Sequence, residues 1–138
     1  MPKPRLRTIH AAIAVIERRG RYLICRRRRD DSLGGYWEFP GGKREAGETW
    51  EACLRRELRE ELGVAVRAIR IYGRMQYRYS DGIVSFRIFR CAIARGRPQP
   101  LDAKALRWIQ PGQLRRYRFP PANRPLVERL LRRVSGSS

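Results

Sequence analysis

GKREAGETWEACLRRELREELGV, residues Gly42–Val64, decides how this chain is read. Trp50, Leu54, Leu58 and Leu62 recur every four residues, and Gly63 stands where a helix commonly ends, so Thr49 to Leu62 is expected to be a helix. Five of the chain's 13 acidic residues fall between Glu48 and Glu61. Glu57, Glu60 and Glu61 are spaced i, i+3 and i+4, which gathers them on one face, away from the apolar stripe and toward a cleft or solvent. Three carboxylates there offer hard oxygen donors of the kind Mg²⁺ or Mn²⁺ prefers. At about 6 Å each pair would repel by roughly 3 kcal/mol at an effective dielectric near 20, and a divalent cation between them removes that cost. Salt bridges to Arg56 and Arg59 on a solvated face would be the plainer use of the same residues.

Outward from this helix the chain alternates strands and turns. Thr8–Glu17 and Arg21–Arg26 are apolar-rich and flank Arg19-Gly20, the pattern of a strand pair. Arg28 to Gly35 is a polar loop, and Pro40 with Gly41-Gly42 is expected to stop any regular element over Trp37–Gly42. Val64–Tyr79 and Ile83–Ala94 read as a hairpin around Ser80-Asp81-Gly82, Leu106–Ile109 as a short strand, and Pro125–Val134 as an amphipathic helix. Strands with a central and a terminal helix point to an α/β/α sandwich with a mixed central sheet. With 138 residues, one domain over residues 1–134 is expected, followed by a disordered tail at 135–138.

Composition removes several chemistries. His10 is the only histidine, so acid–base work falls to carboxylates. Cys25, Cys53 and Cys91 are odd in number and form no CxxC pair, which fits neither a zinc site nor a disulfide framework and indicates a reducing, cytoplasmic setting. No apolar run is long enough to span a membrane. Lys and Arg total 32, only three of them Lys, against 13 Asp and Glu, for a net charge of +19. Such a chain favours polyanions, so weak non-specific nucleic-acid binding is expected, although scattered arginines need no partner. A monomer is expected.

Gly42, Glu48, Arg56-Glu57-Leu58, Glu60-Glu61 and Gly63-Val64 fill every specified position of the Nudix box, so the chain resembles a Nudix hydrolase. That resemblance implies a mixed sheet between helices, with the box as loop–helix–loop, and cleavage of a nucleoside diphosphate linked to a group X. It assigns Gly41, Glu57, Glu60 and Glu61 to Mg²⁺ or Mn²⁺. Arg56 is placed to fix the Glu60 rotamer, and Glu48 to tie the loop to Arg56. Asp102 stands where the family often has a glutamate, one methylene longer, so the water-activating base is Asp102, Glu57 or Glu60.

Trp37-Glu38-Phe39-Pro40-Gly41-Gly42-Lys43, Arg26-Arg27 and Phe119-Pro120-Pro121-Ala122-Asn123 are similar to the MutT branch, which hydrolyses 8-oxo-dGTP to the monophosphate and pyrophosphate. On that likeness Arg27, Ser32, Glu38, Phe39, Pro40, Gly41 and Asn123 would bind substrate, a nucleotide. The Asn123 amide offers one donor and one acceptor, which suits the O6 and N7–H edge of an oxidised guanine. A helix cap is the alternative for Asn123, a core position for Phe39 and a solvated charge for Arg27. Two other functions remain open: hydrolysis of (d)CTP or another nucleotide, and a non-catalytic module that reads 8-oxoguanine in nucleic acid.

Overall fold

The computed structural model describes residues 7–28 and 34–136. Its centre is β1 (Arg7–Arg18), whose Ala11–Ile16 stretch is buried on both faces, as an uninterrupted apolar run requires. β1 turns through Arg19 and Gly20, at φ 52° and 75°, into antiparallel β2 (Arg21–Arg26), pairing Glu17 with Tyr22 and Arg18 with Arg21. Two consecutive positive-φ residues make the tight hairpin that matches strand twist. β3 (Trp37–Glu38) and β4 (Gly41–Lys43) are short strands, where no regular element is expected from the sequence. Only Phe39 and Pro40 interrupt them, since proline has no N–H for a ladder. Gly41 can pair with Ile13 because it has no Cβ, which at φ 149° would collide with the Ala12 carbonyl oxygen.

α1 (Trp50–Leu62) starts at Thr49, whose hydroxyl accepts from the Ala52 N–H at 3.1 Å, and stops at Gly63 in the left-handed region, φ 71°. β5 (Ala65–Tyr79) and β6 (Gly82–Arg95) form the expected hairpin, and β6 runs parallel to β1. β7 (Ala105–Ile109) pairs with β2. The strand order is β3-β2-β1-β6-β5, with β4 also on β1 and β7 on β2. Leu54, Leu58 and Leu62 of α1 pack with Ala12, Ala14 and Leu23 on one face of the sheet. Leu126 and Leu130 of α2 (Arg124–Gly136) pack with Val15, Ile24 and Ile88 on the other. Each fully buried leucine contributes about 1.5–3 kcal/mol relative to exposure. This is the α/β/α sandwich with a mixed sheet. α2 runs two residues past its expected end at Val134, into the segment expected to be a disordered tail. Ser135 and Gly136 continue the helix, and no proline stops it earlier. Among the described residues no helix is long and apolar enough to cross a membrane. Cys25, Cys53 and Cys91 are free and buried, and burial pushes all three thiols up in pKa, Cys91 to about 12.

Candidate active site

Because β4 lies against the middle of β1, Gly41 and Gly42 sit beneath the acidic face of α1. Arg56 ties this corner together. Its Nε donates to Glu48 Oε2 at 2.6 Å and its Nη2 to Glu48 Oε1 at 2.9 Å and to the Lys43 carbonyl at 3.0 Å. Its Nη1 donates to Glu57 Oε1 at 2.9 Å and Glu60 Oε2 at 3.3 Å. The paired guanidinium holds Glu48 down at about 2, helped by the Glu45 N–H that Glu48 also accepts at 2.9 Å. Arg56 is therefore a positioning residue, and it touches four of the five acidic side chains of the loop and helix face around it.

The three metal candidates differ sharply. Glu60 is largely exposed, with its side chain 61% accessible. Glu57 is half-buried against Gly42, where a Cβ would collide with its carboxylate. Glu61 is buried rather than facing open solvent, and its Oε2 accepts the Gly41 N–H at 3.0 Å. Burial pushes Glu61 up to about 8. The Gly41 N–H opposes this in part, while the charges of Glu38, Glu57 and Asp102 add to it. Among the described residues no three His, Cys, Asp or Glu side chains are grouped as a metal site, since Arg56 holds Glu57 and Glu60. The donor set nonetheless fits a hard divalent cation. In a chain of net charge +19, Glu61 is buried and has the carboxylates of Glu38, Glu57 and Asp102 as its charged neighbours.

Beside this corner a cavity of about 510 Å³ opens between β1, the β5–β6 turn and the segment before α2. Arg27, Glu38, Phe39, Gly41 and Asn123 all line it. Arg27 Nη1 and Glu38 Oε2 form an ion pair at 2.7 Å. Phe39 is 3% exposed and stacks on Phe119, centroids 5.4 Å apart and 16° between planes, so it is a rigid floor belonging to both core and pocket. Asn123 Oδ1 is buried with no hydrogen-bond partner, which shows that the side chain does not cap α2. Pro40 does not line the cavity: it is buried, and its carbonyl accepts from the Ala14 N–H at 2.9 Å, fixing the β3–β4 interruption to β1. Asp102 is exposed, 4.0 Å from Arg28. Ser32 lies outside the described residues. Ile9, Val84, Tyr79 and Ala122 are among the other wall residues and are not legible as site residues, because apolar residues lining a pocket follow the same strand pattern as core.

The sequence model of the NUDIX domain matches residues 11–129. The chain belongs to the Nudix family. It is similar to 8-oxo-dGTP diphosphatase of Haemophilus influenzae, 36% identical over 112 residues that cover 81% of this chain and 82% of that protein. It is also similar to CTP pyrophosphohydrolase of Escherichia coli, 33% identical over 123 residues, 89% of this chain and 91% of that one. A solved MutT structure, from work on Aliivibrio salmonicida and Vibrio cholerae, superposes with a TM-score of 0.76 at 30% identity, covering 92% of this chain and 99% of the other. The Nudix protein is thus an enzyme, a MutT-type hydrolase working with a divalent metal, and not a catalytically silent reader of nucleic acid. Glu57, Glu60 and Glu61 are the residues of this Nudix chain suited to hold that metal.

Proposed function

We propose that this Nudix hydrolase converts 8-oxo-dGTP, and 8-oxo-GTP, with water to the monophosphate and pyrophosphate, using Mg²⁺ and accepting Mn²⁺. The observation that carries this reading is the orphaned Asn123 Oδ1 in the pocket wall. A buried acceptor without a donor costs about 1–3 kcal/mol. Unmodified guanine presents N7 and O6 to the same edge, two acceptors, and leaves that cost in place. Oxidation at C8 turns N7 into an N–H donor, which meets Oδ1 while the amide nitrogen donates to O6. The 8-oxo-dGTP diphosphatase of Haemophilus influenzae supports the same choice.

A bound divalent cation supplies charge neutralisation of the polyphosphate and a water polarised for in-line attack. Glu57, Glu60 and Glu61 hold it, with the Gly41 backbone alongside. Arg56 and Glu48 keep the loop and helix in register. Of Glu57, Glu60 and Glu61, Glu60 is the most exposed and is held by one 3.3 Å contact, which supports it as the group that takes the water's proton. Arg27 and Glu38 face the cavity where sugar and phosphates pass. Three free, buried thiols support work in the reducing cytoplasm.

The test is a turnover panel of oxidised and normal nucleotides with Asn123→Ala. The wild type should prefer 8-oxo-dGTP over dGTP, and the variant should lose about 30-fold or more on the oxidised substrate with little loss on dGTP. Equal losses on both would reject base reading by Asn123. A preference for CTP would favour the second reading, which the relative from Escherichia coli supports and to which the donor amino group of cytosine also offers a partner for Oδ1.

A further inference from the structure

The strand that lines the nucleotide pocket also lines a second concavity on the opposite face of the sheet. β1 sends Ile9, Ala11 and Ile13 to the pocket, and His10 to a groove of about 630 Å³. There Gln76, Ser85 and His10 lie abreast on β5, β6 and β1, and the adjacent row is Arg74, Arg87 and Ala12. Trp50, the first residue of α1, closes one side, with the His10 ring edge-on at 5.8 Å. The guanidinium carbons of Arg44 and Arg87 stand 4.9 and 4.7 Å from its ring centroid.

Three arginines therefore share one groove with no carboxylate among its lining residues. Some arginines elsewhere are paired, Arg55 with Glu51, Arg56 with Glu48 and Arg90 with Glu17. Among the described residues Arg44, Arg74 and Arg87 form no ion pair. Arg74 and Arg87 are direct cross-strand partners, a like-charge arrangement that destabilises a sheet. His10 Nδ1 is buried with no hydrogen-bond partner. Guanidiniums without an ion pair, two of them over the face of Trp50, with a hydroxyl and an amide beside them, suit phosphate oxygens.

We propose that this groove binds the phosphate backbone of single-stranded nucleic acid. A free phosphate would need fewer charges than the groove and its rim supply. Arg44, Arg74 and Gln76 are exposed, Arg78 continues the row along β5, and the +19 chain attracts polyanions over long range. A groove of this size admits one flexible strand, whereas a stiff duplex is entered through its own grooves by a protruding element. Ser85 and Gln76 add hydrogen bonds without discriminating bases, so binding is tolerant of sequence. The groove shares no lining residue with the nucleotide pocket other than Phe86, and the inference stands independently of which nucleotide is cleaved.

The experiment is fluorescence anisotropy of a labelled oligothymidylate about 20 nucleotides long, titrated with full-length protein across a salt series around 0.1 M. Arg74→Gln/Arg87→Gln should weaken binding about tenfold and lower the slope of log K against log salt by about 1.4, two phosphate contacts at about 0.7 each. Arg74→Gln alone keeps the Arg87–Trp50 stack, guards against a folding artefact, and should lower the slope by about 0.7. Arg115→Gln/Arg116→Gln removes the same charge elsewhere and should change affinity less than about threefold, and all three variants should hydrolyse nucleotide at the wild-type rate. Equal weakening by the groove and control pairs, no binding by the wild type at low salt, or tighter binding to a duplex of the same length would each overturn the proposal.

Discussion

Arg56 and Glu48 meet through two parallel hydrogen bonds, Nε to Oε2 at 2.6 Å and Nη2 to Oε1 at 2.9 Å, across the junction of loop and helix. The pair fixes the guanidinium plane, and the plane in turn orients Glu57 and Glu60. Because the folded-state pKa of Glu48, about 2, lies below its ordinary 4.5, its contribution to stability is present above pH 4.5 and is lost as pH falls through 2. Glu48→Gln should lower the thermal midpoint at pH 7, and the difference from wild type should shrink as pH falls below 4.5. A difference that does not change with pH would contradict the charge-based role. Turnover should fall more than stability, by about tenfold or more, because a misplaced Glu57 or Glu60 acts on the transition state.

Glu61 behaves in the opposite sense. Its folded-state pKa, about 8, lies above the ordinary 4.5, so in the metal-free protein its own contribution to stability is fully present below pH 4.5 and is lost as pH rises through 8. Glu61→Gln keeps an acceptor for the Gly41 N–H and should stabilise the metal-free protein above pH 8, on the order of 3 kcal/mol, with no gain at pH 4. The same change should reduce turnover by roughly 10²–10⁴. Calorimetric unfolding with a chelator present reads the first effect and a pyrophosphate assay the second.

Adjacent glycines should fail differently. A Cβ at Gly42 first meets the Glu57 carboxylate, the movable end of a side chain, so Gly42→Ala should fold normally and lose turnover. A Cβ at Gly41 meets the Ala12 backbone at a positive φ, so Gly41→Ala should cost about 2 kcal/mol or more of stability. Urea unfolding of both variants beside their activities separates the two losses.

Asp102→Asn should lower turnover less than about tenfold. Its carboxylate is exposed, and its only ion pair among the described residues is the 4.0 Å contact with Arg28. Glu60→Gln should cost roughly 10²–10⁴ if it takes the proton. A larger loss at Asp102 than at Glu60 reverses that assignment.

The helix, its carboxylates and the Glu48–Arg56 link are legible in the sequence because spacing along a helix fixes which side chains are neighbours. The β5–β6 hairpin is legible through its turn residues. Burial of Glu61 is not, since it depends on β4 passing beneath α1, and that follows from a long-range pairing of Gly41 with Ile13. Pairing at Trp37–Glu38 is hidden for a similar reason: Pro40 marks a break but cannot reveal how close to it strands resume. Asn123 shows the limit most clearly. Before Arg124-Pro125 a cap and a base contact read alike, and only the solitary Oδ1 separates them.

Three sulfhydryl groups sealed in the core, two on strands and one on α1, carry a consequence for the conditions under which oxidised nucleotides arise. Peroxide attacks the thiolate form, and Cys25, Cys53 and Cys91 are both shielded and held protonated. The catalyst is therefore insulated, at its cysteines, from the oxidants that damage nucleotides, and its turnover should survive peroxide exposure that inactivates enzymes dependent on an accessible sulfur.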